Sequence, residues 1–108
     1  MEPIYCIVFI TASNAEEADR ISSTLVKERL AACVNMAPRI TSRYWWKEKI
    51  ETANESLLIV KTKKSHLKKL IQKVKAVHSY TVPEVIAFPI MAGNPDYLDW
   101  IQESLPAS

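Results

Sequence analysis

Three apolar runs carry no alternation of polar and apolar residues: IYCIVFI at 4–10, LLIV at 57–60 and VIAF at 85–88. A strand with one wet face alternates, whereas a strand buried on both faces reads as an unbroken apolar string. These runs therefore predict a sheet that needs cover on both sides. Whatever covers the second side must be found in the rest of the chain or outside it.

The order of elements narrows the fold. Residues 4–11 read as the first strand. Ser13 with Glu16 matches the S-x-x-E capping box, in which hydroxyl and carboxylate satisfy the first free amides of a helix. Ala18, Ile21 and Leu25 follow at helical spacing, predicting an amphipathic helix over 14–30. AACVNMAPRITSRYWW, from Ala31, has strand character, and Pro38 within it marks an edge position or a bulge. The polar segment KEKIETANE leads into SLLIVKT, a third strand, so the two runs predict a long hairpin. Ser65 is placed to cap a second helix, whose Leu67, Leu70, Ile71 and Val74 make an i, i+3, i+4, i+7 stripe. Residues 85–91 read as the last core strand, Gly93-Asn94-Pro95 as a turn, and 96–105 as a short C-terminal helix. The order β-α-β-β-α-β plus a tail helix predicts an α+β, ferredoxin-like sandwich with an extended β-hairpin. At 108 residues, with no linker, low-complexity tract or repeat, residues 1–108 form a single domain.

Two consequences resist a lone chain. Right-handed crossovers place both helices on one face of such a sheet, so the other apolar face has no cover of its own. Residues 31–47, fully extended, would reach about 50 Å. A compact domain of this length has a radius of gyration of only about 13 Å. The hairpin tip, with Tyr44, Trp45 and Trp46, is thus expected to overhang and to need a neighbour. A closed homo-oligomer answers both demands. The competing expectation is that the strand breaks at Pro38 and folds back, putting some aromatics into a local core.

Composition removes several function classes. With 14 basic and 12 acidic residues the net charge is only +2, so no strong field points to nucleic acid or a membrane. No apolar run approaches the roughly 20 residues that span a bilayer. Seven basic residues lie between Lys61 and Lys75, but Lys64, Lys68, Lys69, Lys73 and Lys75 avoid the apolar stripe and read as a solvated face. The lone glycine, Gly93, argues against Walker, Rossmann and nucleophile-elbow loops. Cys6 and Cys33 sit in apolar surroundings without CxxC spacing, and MEPIYCIVF lacks a basic leader. Both features predict reduced thiols and a cytoplasmic protein.

The strings LVKERLAACVN (25–35), SRYWWKEKIE (42–51), LLIVKT (57–62), VHSYTVPEVIAFPI (77–90) and GNPDYLDWI (93–101) resemble the CutA family, the divalent-cation tolerance proteins. The resemblance runs through nearly the whole chain. It implies a ferredoxin-like subunit, a very stable homotrimer built by inter-subunit strand pairing, and a cytosolic role linked to copper and other divalent metals, without an established catalytic reaction. Bacterial relatives bind copper through a cysteine ending the first strand and two adjacent histidines. Here those positions are Ile10, Val77 and His78, which keeps one ligand of three. The family's W-x-G-K turn is Trp46-Lys47-Glu48-Lys49 here, and glutamate enters left-handed backbone less cheaply than glycine, so a looser turn or another type is expected.

His78 is the leading metal candidate, because imidazole binds borderline metals, and Glu84 is its expected helper beyond the turn that Pro83 stiffens. Against this stands the reading that His78 caps the second helix C-terminus while Glu84 makes a structural hydrogen bond. Tyr80 either lines the same rim or packs its ring and solvates its hydroxyl. Cys33 is a further soft-metal candidate, against a role as a small core residue; Cys6 reads as core. His66 is expected to be solvated. Trp46 and Trp100 are candidate partners across a subunit interface with Tyr44 and Trp45, and Tyr97 and Trp100 are expected to dock the last helix. No thiol or hydroxyl stands beside an evident base, so no enzyme is predicted. The reading is a non-catalytic homotrimer that binds divalent cations (copper or zinc) weakly at inter-subunit rims. Its rivals are a P-II-like small-molecule signalling trimer, which would need phosphate-cradling loops, and a scaffold presenting a partner-binding surface.

Overall fold

The computed structural model describes residues 4–106. Its elements are β1 (Tyr5–Ala12), α1 (Ala15–Lys27), β2 (Cys33–Trp46), β3 (Lys49–Lys63), a 3-10 turn at Lys64–His66, α2 (Leu67–Val77), β4 (Val85–Pro89) and α3 (Pro95–Ser104). The strands form one antiparallel sheet in the order β2-β3-β1-β4, which is the ferredoxin-like arrangement expected from the element order.

The strand sequences do not alternate, but their burial does. Cys6, Val8, Ile10 and Ala12 of β1 are buried on the helix side with Leu58 and Val60 of β3. Against them pack Ala18, Ile21 and Leu25 of α1 and Leu70 and Val74 of α2. The intervening Tyr5, Ile7 and Phe9 face the other way and remain half-exposed. Register places Phe9 opposite Ile59 on one side and Ile86 on the other, with Phe88 opposite Ile7. The Phe9 and Phe88 rings meet edge to face at 5.0 Å. Both faces of the sheet are thus apolar, and among the described residues the face bearing Ile7, Phe9, Ile86 and Phe88 is left partly or largely exposed.

Helix starts depart from expectation by small shifts. The N-cap of α1 is Asn14, not Ser13: its Oδ1 accepts the Glu17 backbone N–H at 2.8 Å. Glu17, not Glu16, is the returning carboxylate, and its Oε1 accepts from both the backbone N–H and the hydroxyl of Ser13, each at 2.9 Å. Ser65 does not cap α2. Its hydroxyl pairs with His66 Nδ1 at 3.0 Å, and the 3-10 turn makes His66 the N-cap residue without a side-chain cap bond. Helix α3 is docked by buried Ile101 and Leu105, whereas Tyr97 and Trp100 stack on each other at 5.5 Å and stay partly exposed. Tyr97 also lies against Cys33 of β2, so the expectation that these aromatics dock the helix is met in part.

The hairpin is longer than the sequence suggested. The polar segment 49–55 belongs to β3, and its pairing with β2 runs from Ile40↔Glu55 to Trp46↔Lys49. β1 stops at Ala12↔Ser56, so this arm has no other strand beside it. The register shift between Ala37 and Ile40 is the bulge expected at Pro38, and the strand continues past it instead of folding back. The molecule measures 43 × 26 × 22 Å, the long axis being what a projecting arm requires. The arm closes in a two-residue turn in which Lys47 and Glu48 both adopt left-handed backbone, at φ 50° and 65°. That is the type I′ geometry matching strand twist. The turn is tight after all, and a glutamate occupies the place where glycine costs least.

Candidate functional site

The loop joining α2 to β4 builds the site. α2 ends at His78, the C-cap, whose backbone N–H reaches the Val74 carbonyl at 2.9 Å. The location agrees with the capping expectation; the ring does something else. Nε2 lies 2.7 Å from the Thr11 carbonyl oxygen, which can only accept, and Nδ1 receives the Tyr80 backbone N–H at 3.0 Å. These partners set the tautomer, with hydrogen on Nε2. Neither nitrogen then has a lone pair for a metal. As placed, His78 fastens the loop to the end of β1.

Glu17 holds the same loop from the helix side. Its Oε2 accepts the Ser79 backbone N–H at 2.7 Å. Burial opposes ionisation of this carboxyl but is outweighed by the hydrogen bonds from Ser13 and Ser79, which bring its pKa down to about 2. Tyr80 completes the set: its hydroxyl donates to Glu55 Oε2 at 2.8 Å, at the base of the arm. Burial raises the phenol's pKa, and the Glu55 carboxylate raises it further. The hydroxyl is an engaged donor.

Between loop and arm lies a groove of about 620 Å³. Thr11, Tyr44, Glu51, Glu55, Tyr80 and Glu84 are among the residues that line it. Glu84 faces this groove, while His78 does not line it. Cys33 lies at the other end of the sheet, opposite Lys61, with its thiol 3.9 Å from Asn35 Oδ1 and its side chain near Tyr97. It is partly exposed, unlike the core residue expected. The three metal candidates are therefore not brought together. No three His, Cys, Asp or Glu side chains among the described residues are arranged to hold a metal ion, so one chain does not supply a complete site. Cys6 is buried, which pushes its thiol pKa up and leaves it inert.

The aromatics proposed for an interface are open. Trp45 and Trp46 are 71% and 53% exposed on the arm, with Tyr44 and Ile50 beside them, and Trp100 is partly exposed on α3. Sequence reasoning missed Glu55 and Glu17. Glu55 sits in a polar stretch where nothing distinguishes it from Glu51. Glu17 was legible only as a second reading frame of the capping box. It also missed His66, which is buried at the start of α2 and not solvated. No described helix is long and apolar enough to cross a membrane.

Comparison with known proteins follows from this geometry. The CutA1 divalent ion tolerance protein family model matches residues 6–104. The chain is 49% identical over 98 residues to "Protein CutA 1, chloroplastic" of Oryza sativa subsp. japonica, covering 91% of this chain and 55% of that protein. It is also 49% identical over 98 residues to the divalent-cation tolerance protein CutA of Thermus thermophilus, covering 91% and 95%. The chain thus spans about half the length of the plant relative and nearly all of the bacterial one. The crystal structure of CutA1 from Oryza sativa superposes with a TM-score of 0.95 at 46% identity, covering 98% of this chain and 97% of that one.

Proposed function

Because this chain belongs to the CutA1 divalent ion tolerance family, we propose that it acts as a non-catalytic homotrimer in the cellular response to divalent metals, copper among them. One observation carries the reading: the arm from Ile40↔Glu55 to Trp46↔Lys49 pairs with no other strand among the described residues while presenting exposed Trp45, Trp46 and Ile50. A soluble protein covers such a surface. Identical subunits that clasp arms against the uncovered face bearing Phe9, Ile59, Ile86 and Phe88 would bury both apolar surfaces at once, with Tyr44 and Trp100 at the seams.

Metal binding is weak in this reading and sits at subunit rims. Glu84 and Glu51 line the groove at the base of the arm, and a neighbouring subunit would supply the remaining oxygen or nitrogen donors. The relatives carry names that speak of divalent-cation tolerance, and those names describe no enzyme. The cytoplasm is the compartment proposed, supported by two unpaired cysteines.

Sedimentation at micromolar concentration tests the assembly. Three chains per particle are expected, and Trp45→Glu is expected to give folded monomers; a wild-type monomer would end the reading. Calorimetric titration with copper and zinc tests the rim. Glu84→Gln should lose most of the heat, and no heat with either metal in the wild type would leave a scaffold without a metal function.

A further inference from the structure

On the opposite side of the molecule, between the end of α1 and one face of α2, lies a second cavity of about 470 Å³. Glu28, Arg29 and Leu30 form one wall; Lys69, Gln72, Lys73 and Ala76 form the other, and Pro106 closes one end. His66 lies at its edge, only 3% exposed. Its Nδ1 is engaged by the Ser65 hydroxyl, whereas its buried Nε2 has no hydrogen-bond partner among the described residues. Buried polar atoms rarely go unpaired, because each orphan costs about 1–3 kcal/mol. As placed this nitrogen is closed to solvent, and because His66 lines the cavity a small rotation of its ring would present it to a ligand.

The charges around it say which kind. Lys73 is matched by Glu28 at 3.2 Å, which leaves Arg29 and Lys69 in excess. Burial first, and then Lys63 and Lys69, push the pKa of His66 down, which favours the neutral imidazole. When the Ser65 hydroxyl donates to Nδ1, the hydrogen of the neutral ring sits on Nε2 and can be given to an acceptor. The N-terminal end of α2 starts here without a side-chain cap, and its dipole also favours negative charge. Arg29 is held in place at a conformational cost. It occupies the left-handed position of a Schellman motif, at φ 58°, with Arg29 N–H on the Val26 carbonyl and Leu30 N–H on the Leu25 carbonyl. Glycine would suit that backbone better. The arginine instead gives Nη1 to the Ser104 carbonyl at 2.9 Å, which fixes the guanidinium with its other donors available.

We propose that this cavity binds a small organic anion. Its phosphate or carboxylate head would accept from His66 Nε2 and pair with Arg29 and Lys69, and its apolar body would rest on Leu30, Ala76 and Pro106. The site is separate from the groove at the base of the arm and does not depend on the metal reading. It faces away from the uncovered side of the sheet, so trimer assembly and anion binding are independently measurable.

Two-dimensional NMR of the full chain, titrated with phenyl phosphate, benzoate and inorganic phosphate, tests the proposal. Saturable shifts are expected at the Lys69, Gln72 and Ala76 amides and at the His66 ring nitrogens, with phenyl phosphate and benzoate ranking the two head groups. Lys69→Glu lies on an exposed helical position and leaves folding intact. It is expected to weaken binding by about tenfold or more, since a charge-assisted contact of about 1.4 kcal/mol corresponds to that factor. Absence of saturation by about 10 mM for every probe overturns the site, that limit corresponding to roughly −2.7 kcal/mol. So does equal affinity in Lys69→Glu. Binding of phenyl phosphate no tighter than inorganic phosphate overturns the organic ligand.

Discussion

The helix-covered half of the sheet and the hairpin arm are built from the same two strands, yet they obey different rules. Around Leu58 and Val60, β3 is sealed by α1 and α2 and carries aliphatic residues that touch nothing but their own chain. Ten residues earlier the same strand reads KIETAN, is exposed over most of its length and pairs only with β2, before Glu55 turns inward to Tyr80. The first region derives its stability from burial, the second from backbone pairing and whatever docks against it. A single chain therefore holds a sealed core and an arm with exposed aromatic residues.

The difference is sharpest under truncation. Leu58→Ala opens a cavity in a fully buried position and is expected to cost about 3 kcal/mol, read as a lowered denaturant midpoint at fixed protein concentration. The same change at Trp45 is expected to leave the core intact and alter association instead. If Trp45→Ala lowered the stability of a dissociated subunit as much as Leu58→Ala does, the division between core and arm would be wrong.

Glu17 links the regions, since its carboxylate ties the start of α1 to the loop whose Tyr80 grips the base of the arm. Its pKa is about 2 in the fold against an ordinary value of 4.5. A depressed carboxyl contributes stability that is complete above the ordinary pKa and fades as pH falls toward the folded value. The expected loss is about 3 kcal/mol between pH 5 and pH 2. Glu17→Gln should flatten that part of the profile and raise the amide exchange rate at Ser79. An unchanged acid limb in the variant would remove Glu17 from the account.

Legibility in the sequence follows the same boundary. Where residues pack on their own chain, spacing alone located β1, both core helices and the end of β3, because burial enforces periodicity. The capping frame slipped by one residue because Ser13-Asn14-Ala15-Glu16-Glu17 offers two overlapping boxes. The choice between them rests on Ser79, 62 residues away. The arm's second strand read as a polar connector, since a strand without a core has no apolar face to show. The hydrogen bonding of His78 was hidden for a related reason: the carbonyl that engages its ring belongs to Thr11, 67 positions earlier. His66 offered no sequence signal at all, lying among Lys64, Lys68 and Lys69, which are exposed.

The smallest expected effect separates arm from core most cleanly. Glu48 sits at φ 65° in the type I′ turn, where a side chain costs about 1–2 kcal/mol relative to right-handed backbone. Glycine removes that strain but adds freedom to the unfolded chain, worth about 0.5–1 kcal/mol in the other direction. Glu48→Gly is therefore expected to stabilise the arm by roughly 0.5 kcal/mol net. Hydrogen exchange reads this locally. Amides paired at Trp46↔Lys49 and Tyr44↔Glu51 should slow by about twofold, while those of Val8 and Leu58 stay unchanged if the arm opens independently of the domain. Equal slowing at both places would mean that arm and core unfold as one unit, with the turn helping to hold the sheet that the helices cover.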